Sequence, residues 1–281
     1  MIVRFLSAVL PLITIYQFSF VVKLIESKSP LEPIIWSVVW IFVVRLLDNF
    51  LRIKSTTRLD HVISNISFDV HNFFLSDLKT QDKEERHAII QAVRNFADAV
   101  IISLRLIKQP GVDSLVSLIV IPSILFFLDF QIFILTISYI LVYYFIDNYT
   151  TQRYSHLKDI LNTKTETYYA KLQDSNDYDL EQVTYTRHHR RLTRWSNTEW
   201  FTLQNIAVFF YSLILLYLIT LVNQGTKEIS DLVLIIGYVS QTQTLLNSLS
   251  EIKDSFADMF VGLEHLAKNT QVSAINLDDL I

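Results

Sequence analysis

Membrane-length apolar runs alternate along this chain with long charged stretches. The apolar runs are Phe5 to Val22, Ile34 to about Ile53, Val112 to Leu128, Gln131 to Tyr149, Leu203 to Val222 and Ile229 to Leu249. A helix needs roughly 20 mostly apolar residues to cross a hydrocarbon core, so the pattern predicts six spans. The third and fourth are separated only by Asp129 and Phe130, which makes them a tight hairpin. Two polar arms, about 52–108 and 150–202, keep helical periodicity throughout. In the first, Val62, Ile66, Val70 and Phe73 share one face, and Ile90, Val93, Ala97 and Ile101 share another. The densest charge, KTQDKEER at 79–86, falls mid-arm, where a chain going out and back must turn. The second arm repeats this plan, with its turn expected around Gln173 to Glu181.

The longest pattern runs from Lys227 to Lys268 without a proline. Gly237, Ser240, Gln241, Thr244, Asn247, Ser248, Glu251, Asp254, Ser255 and Asp258 form a polar stripe, and Leu245, Leu249, Ile252, Phe256, Met259, Phe260 and Leu263 line the other side. Such a helix is ~60 Å long, about twice the hydrocarbon thickness. A polar stripe through a span has two readings: a wet cavity on one side, or a hydrogen-bonded seam between helices. The first span carries a similar stripe, with Thr14 and Gln17 on one face. Arg45 and Asp48 in the second span are neighbours at three residues' spacing, which reads either as a self-paired bridge or as charge on a substrate path.

Composition narrows the class. The 281 residues are 51% hydrophobic, and concentrating that content in six runs makes this an all-α integral membrane protein. Four Gly and five Pro leave little room for linkers. With no Cys there is neither a disulfide framework nor a thiolate site. A net charge of −4 and the lack of any recognition motif exclude a nucleic-acid partner. Lys and Arg set the orientation: nine fall in the first arm and eight in the second, against Lys23, Lys28 and Lys227 in the short loops. Basic loops stay on the cytoplasmic side, so both arms and both termini are expected there, with the protein in the plasma (inner) membrane.

Three stretches carry a family resemblance. HAIIQAVRNFADAVIISLRL followed by SLIVIPSILFFLDFQIFIL is similar to the third and fourth spans of ATP-binding-cassette (ABC) exporters. TYYAKLQDSNDYDLEQVTYTRHHRRLTRW looks like that family's stretch around its second coupling helix. KEISDLVLIIGYVSQTQTLLNSL, continuing to VGLEHL, is similar to its sixth span and exit helix. The chain departs from the family's pattern at Ser230, where Gly is usual, and at Glu264, where Arg is frequent. The resemblance implies a six-helix transmembrane domain over 1–268 with two long helical cytoplasmic extensions, followed by a short tail, 269–281.

A phosphate loop of the form G-x-x-x-x-G-K-[ST] is missing, since Gly111, Gly225, Gly237 and Gly262 do not supply its spacing. The chain is therefore expected not to be an enzyme and to hold no cofactor, with ATP and Mg entering only through a separate ATPase subunit. The family implies that two copies, or this chain and a second transmembrane subunit, pair around a pathway in the lipid bilayer. On this reading Thr14, Gln17, Gln241, Thr244, Ser248 and Glu251 line the cavity. Lys79, Asp82 and Glu84 in the first arm, and Asp177, Tyr178 and Asp179 in the second, are the coupling-tip candidates. An ABC-like membrane domain without a motor, serving as a scaffold, sensor or regulatory subunit, is the alternative; the wholly polar first tip speaks for it. Other chemistry finds no support. His188 and His189 point apart on a helix and stand among arginines that repel a metal, and no nucleophile–base set is present. The spans also lack the embedded acidic relay of a proton-coupled carrier.

Overall fold

The computed structural model describes residues 2–76, 83–174 and 179–270, and among these every regular element is helical. In chain order they are α1 (Ile2–Glu26), α2 (Leu31–Ser76), α3 (Lys83–Leu106), a single π turn (Ile107–Gly111), α4 (Val112–Leu128), α5 (Phe130–Asp174), α6 (Asp179–Asn223) and α7 (Ile229–Thr270). Five helices are long and apolar enough to cross a membrane: α1, α2, α5, α6 and α7. The sixth expected span, α4, is shorter at 17 residues and is preceded directly by the π turn. Of the turns expected at 79–86 and 173–181, residues 79–82 and 175–178 lie outside the described residues, while 83–86 begin α3, 173–174 end α5 and 179–181 begin α6.

Helix ends follow from local chemistry. Asp129 has an extended backbone (φ −163°, ψ 115°) that stops α4. Its Oδ1 then accepts from the backbone N–H groups of Gln131 (3.0 Å) and Ile132 (3.2 Å), satisfying two orphan donors at the start of α5. One residue both ends a helix and caps the next, so the hairpin needs no loop. α1 and α6 both end with a left-handed residue and a 6→1 backbone bond, Ser29 N–H to Leu24 O and Thr226 N–H to Leu221 O, each 3.0 Å. At the end of α6 the left-handed residue is Gly225 (φ 71°), where a glycine is expected; at the end of α1 it is Lys28 (φ 51°). The start of α7 is capped from a distance: Glu26, ending α1, accepts from the N–H groups of Ile229 and Ser230, each at 3.1 Å. Beside it, Lys23 hydrogen-bonds Glu228 at 3.0 Å and holds that exposed carboxyl below its ordinary pKa.

The helices divide into two compact units. The first comprises Met1–Leu59, Leu106–Ile146 and Thr202–Ser250. Its core joins Leu12 of α1, Ile121 and Leu125 of α4, Ile132 of α5, Ile214 and Leu218 of α6, and Leu234, Ile235, Tyr238, Val239 and Leu245 of α7. A second cluster is built from Tyr139, Tyr143, Leu203, Ala207 and Leu246. Large apolar side chains also cover the outside of this unit, among them Trp36, Trp40, Phe42 and Phe50 of α2 and Phe127, which is 85% exposed. An apolar surface of this breadth is unfavourable in water and is what a hydrocarbon solvent requires.

The second unit comprises Asp60–Arg105, Asp147–Phe201 and Glu251–Ile281. In it Leu157, Leu161 and Leu192 pack together with Tyr154, Tyr185 and Trp195 around them, and Ile63, Val93, Ala97 and Val261 are also buried. Polar bonds between helices add to this. Lys253 of α7 meets Asp147 of α5 at 2.7 Å, and Lys158 of α5 meets Asp258 of α7 at 3.2 Å. Thr151 donates to Asp254 at 3.1 Å, and the hydroxyls of Ser103 (α3) and Ser255 (α7) lie 2.8 Å apart. Arg153 stacks over the Trp195 ring at 4.9 Å, and the indole N–H of Trp195 donates to the Thr150 carbonyl.

Candidate functional site

The π turn before α4 has an evident cause. Pro110 has no N–H to donate, and the N–H of Val112 reaches back five residues to the Ile107 carbonyl. Ser114 bonds back to the Pro110 carbonyl at 2.7 Å. Pro110, Asp113 and Ser114 thereby line a cavity of about 340 Å³ in the first unit. Pro11 and Ile15 of α1, Arg45 and Arg52 of α2, and Gln241, Thr244, Leu245 and Ser248 of α7 complete its wall.

Charge at this cavity is organised around Arg52. Its Nε donates to Asp48 Oδ1 and its Nη1 to Asp113 Oδ2, both at 2.8 Å. Asp48 is 3% exposed, so the Arg52 guanidinium takes the place of bulk water as partner to its carboxyl. The expected Arg45–Asp48 pair is not formed. Asp48 takes Arg52 instead, four residues on, in the favoured acid-before-base order, and Arg52 then bridges α2 to α4. Arg45 remains exposed, lines the cavity and has no hydrogen-bonding or ionic partner among the described residues.

The polar stripe of α7 divides by task. Gln241, Thr244 and Ser248 face the cavity. Asn247 accepts from the Tyr143 hydroxyl at 3.0 Å, and Gln243 donates to Gln204 at 2.8 Å, so these two belong to seams within the first unit. In the second unit Asp254, Ser255 and Asp258 are taken up by the interhelical bonds described above, while Glu251 is exposed. Gly237 packs so closely on α1 that a Cβ there would meet Ile15 Cγ2 at 2.5 Å.

On α1, Thr14 is 1% exposed and its hydroxyl donates to the Leu10 carbonyl at 3.1 Å. Gln17 is half-buried, with Oε1 accepting no hydrogen bond among the described residues. Neither is part of the cavity wall, which α1 supplies through Pro11 and Ile15. Of the coupling-tip candidates, Lys79, Asp82, Asp177 and Tyr178 lie outside the described residues. Glu84 and Asp179 fall in the first turns of α3 and α6, where the helical backbone alone is described. Among the described residues no group of His, Cys, Asp or Glu is arranged to hold a metal. Helical periodicity does not single out Arg45, Arg52 and Asp113 as a cavity group; the Asp48-to-Arg52 spacing and the break at Pro110 are the signals that point to them.

No protein-family model matches the sequence, and comparison with curated proteins gives no match either. Among solved structures, the chain is similar to that of a bacterial Atm1-family ABC exporter with ATP bound, with a TM-score of 0.64 at 16% identity. The similarity covers 95% of this chain and 52% of that one, so the chain spans about half the exporter's length. At this identity the likeness speaks for the fold. This chain folds as the transmembrane domain of an ABC exporter does.

Proposed function

We propose that this chain is a transmembrane subunit of an ABC-type exporter, forming half of a translocation pathway and driven by a separate ATPase through the turns of its two arms. The observation that carries this is the match of nearly the whole chain to about half of an exporter chain, with a polar cavity inside the first unit. A six-span domain walls only part of a pathway, so a second transmembrane subunit, identical or different, completes it. Gln241, Thr244 and Ser248 contribute its polar lining, with Thr14 and Gln17 supporting them from α1 and Glu251 at the exposed face of α7. Closure of the ATPase at Lys79, Asp82 and Glu84 and at Asp177, Tyr178 and Asp179 moves the arms as levers and alternates access. The arms and both termini then lie on the cytoplasmic side of the inner membrane, as the excess of Lys and Arg in the arms requires.

Gentle extraction from native membranes followed by mass spectrometry tests the coupling. The expected result is a stoichiometric nucleotide-binding ATPase that is lost when Asp177 and Asp179 are replaced by Ala. Recovery of a pair of transmembrane subunits with no ATPase would replace the exporter with a scaffold or regulatory role.

A further inference from the structure

We infer that the cavity of the first unit binds an anionic group, held by Arg45. The inference rests on the pathway reading for its physiological meaning but not for its chemistry. Two arginines line this wall, and they differ in state. Arg52 is held by two carboxylates at 2.8 Å each, so its charge is already answered. Arg45 faces the same space with no hydrogen-bonding or ionic partner among the described residues. A guanidinium in a membrane span is costly unless an anion or water meets it, and its planar fork of N–H groups suits an oxyanion.

The other polar groups of the wall favour the same ligand class. The hydroxyls of Thr244, Ser248 and Ser114 donate to the carbonyls of Ser240, Thr244 and Pro110, at 3.3, 3.1 and 2.7 Å. Their protons are directed at their own helices, which leaves the Arg45 guanidinium, the Gln241 amide and the Arg52 N–H groups that Asp48 and Asp113 do not engage as donors at the wall. A ligand that accepts hydrogen bonds and carries negative charge fits that supply at Arg45. Asp48 and Asp113 set two negative charges against the one of Arg52, so the preference for an anion is local to the Arg45 guanidinium and not a net charge of the wall. Pro11, Ile15 and Leu245 add an apolar side. A volume of about 340 Å³ lies at the small end of ligand-sized cavities, which run from about 300 to 1,000 Å³. The occupant is therefore an amphiphile with one carboxylate, sulfonate or phosphate head, either a soluble organic anion or a lipid headgroup.

Binding can be measured without ATPase or transport. Purified protein in phosphatidylcholine nanodiscs is dialysed against radiolabelled naphthalene-2-sulfonate or its trimethylammonium counterpart, with empty nanodiscs subtracted. The sulfonate is expected to bind at least about tenfold tighter than the cation, on the scale of one charge-assisted hydrogen bond. Arg45→Gln should lose about that factor, and Arg45→Lys, which keeps the charge but not the planar fork, should fall between that variant and the parent. Replacing part of the phosphatidylcholine by phosphatidylglycerol separates the sources: displacement of the sulfonate identifies a headgroup site, and unchanged binding a site for a soluble anion. No protein-dependent sulfonate binding, equal binding of the cation, or unchanged binding in Arg45→Gln would overturn the inference. Sulfonate binding that persists when cavity substitutions leave transport unaffected would keep the anion site and remove the pathway from it.

Discussion

Removing Arg52 is the sharpest perturbation of the candidate site. Arg52→Leu deletes two 2.8 Å charge-assisted bonds at once and strands Asp48, which is 3% exposed, beside Asp113. Breaking a buried ion pair from one side typically costs about 3–5 kcal/mol. The Arg52 side chain is 23% exposed, and solvent at that position lowers the penalty, so the expected loss is about 2–4 kcal/mol. The control is the full replacement, Asp48→Asn with Arg52→Leu and Asp113→Asn, which leaves no buried charge. It should lie within about 1 kcal/mol of the parent, because the cost of the single substitution is mostly uncompensated charge. SDS-driven unfolding in mixed micelles, followed through the four tryptophans, reads both values. If Arg52→Leu is as stable as the parent, or the triple replacement is worse than the single one, then Arg52 is not the group that neutralises α2 and α4.

Local geometry sets three further outcomes. Gly237→Ala should destabilise the first unit by about 1–3 kcal/mol, because the branched Ile15 methyl it meets is stiff; Ile15→Ala in the same chain should restore most of the loss in a double-mutant cycle. Glu26→Ala removes the acceptor from two N–H groups at the start of α7 and should cost about 0.5–2 kcal/mol by the same unfolding measurement. Lys28→Gly should stabilise the end of α1 by about 0.5–1 kcal/mol, since the backbone there is left-handed at φ 51°; a loss would mean that the loop adopts another conformation.

The parts legible in the sequence are those that depend on composition and period. Six apolar runs and two helical arms can be placed because a span needs only length and a stripe needs only spacing. The Asp129 hairpin can be placed for the same reason, since a single polar residue between two such runs leaves no other connection. The role of Arg52 is hidden because Asp48 has two arginines within helical reach, one three residues before it and one four residues after. The second carboxylate comes from Asp113, 61 residues on, and no local rule reaches that far. The α7 stripe looks uniform in the sequence, yet Gln241, Thr244 and Ser248 face a cavity while Asp254, Ser255 and Asp258 bind neighbouring helices. That division is decided by which helices pack on each turn. The cap that Glu26 gives to α7 spans 203 residues and is equally a product of packing.

The most direct test of the account uses the absence of cysteine from the sequence, which gives single replacements no background. Gln241→Cys, Thr244→Cys and Ser248→Cys are each placed in native membrane vesicles and treated with a membrane-impermeant maleimide, with and without ATP. Thr242→Cys, at a position 0% exposed, serves as the control. A translocation pathway predicts labelling at 241, 244 and 248 but not at 242, with the accessible side of the membrane changing when ATP is added. Labelling at the three positions no greater than at 242 would show that the stripe is a dry seam. Labelling indifferent to ATP would show a wet cavity that no motor drives.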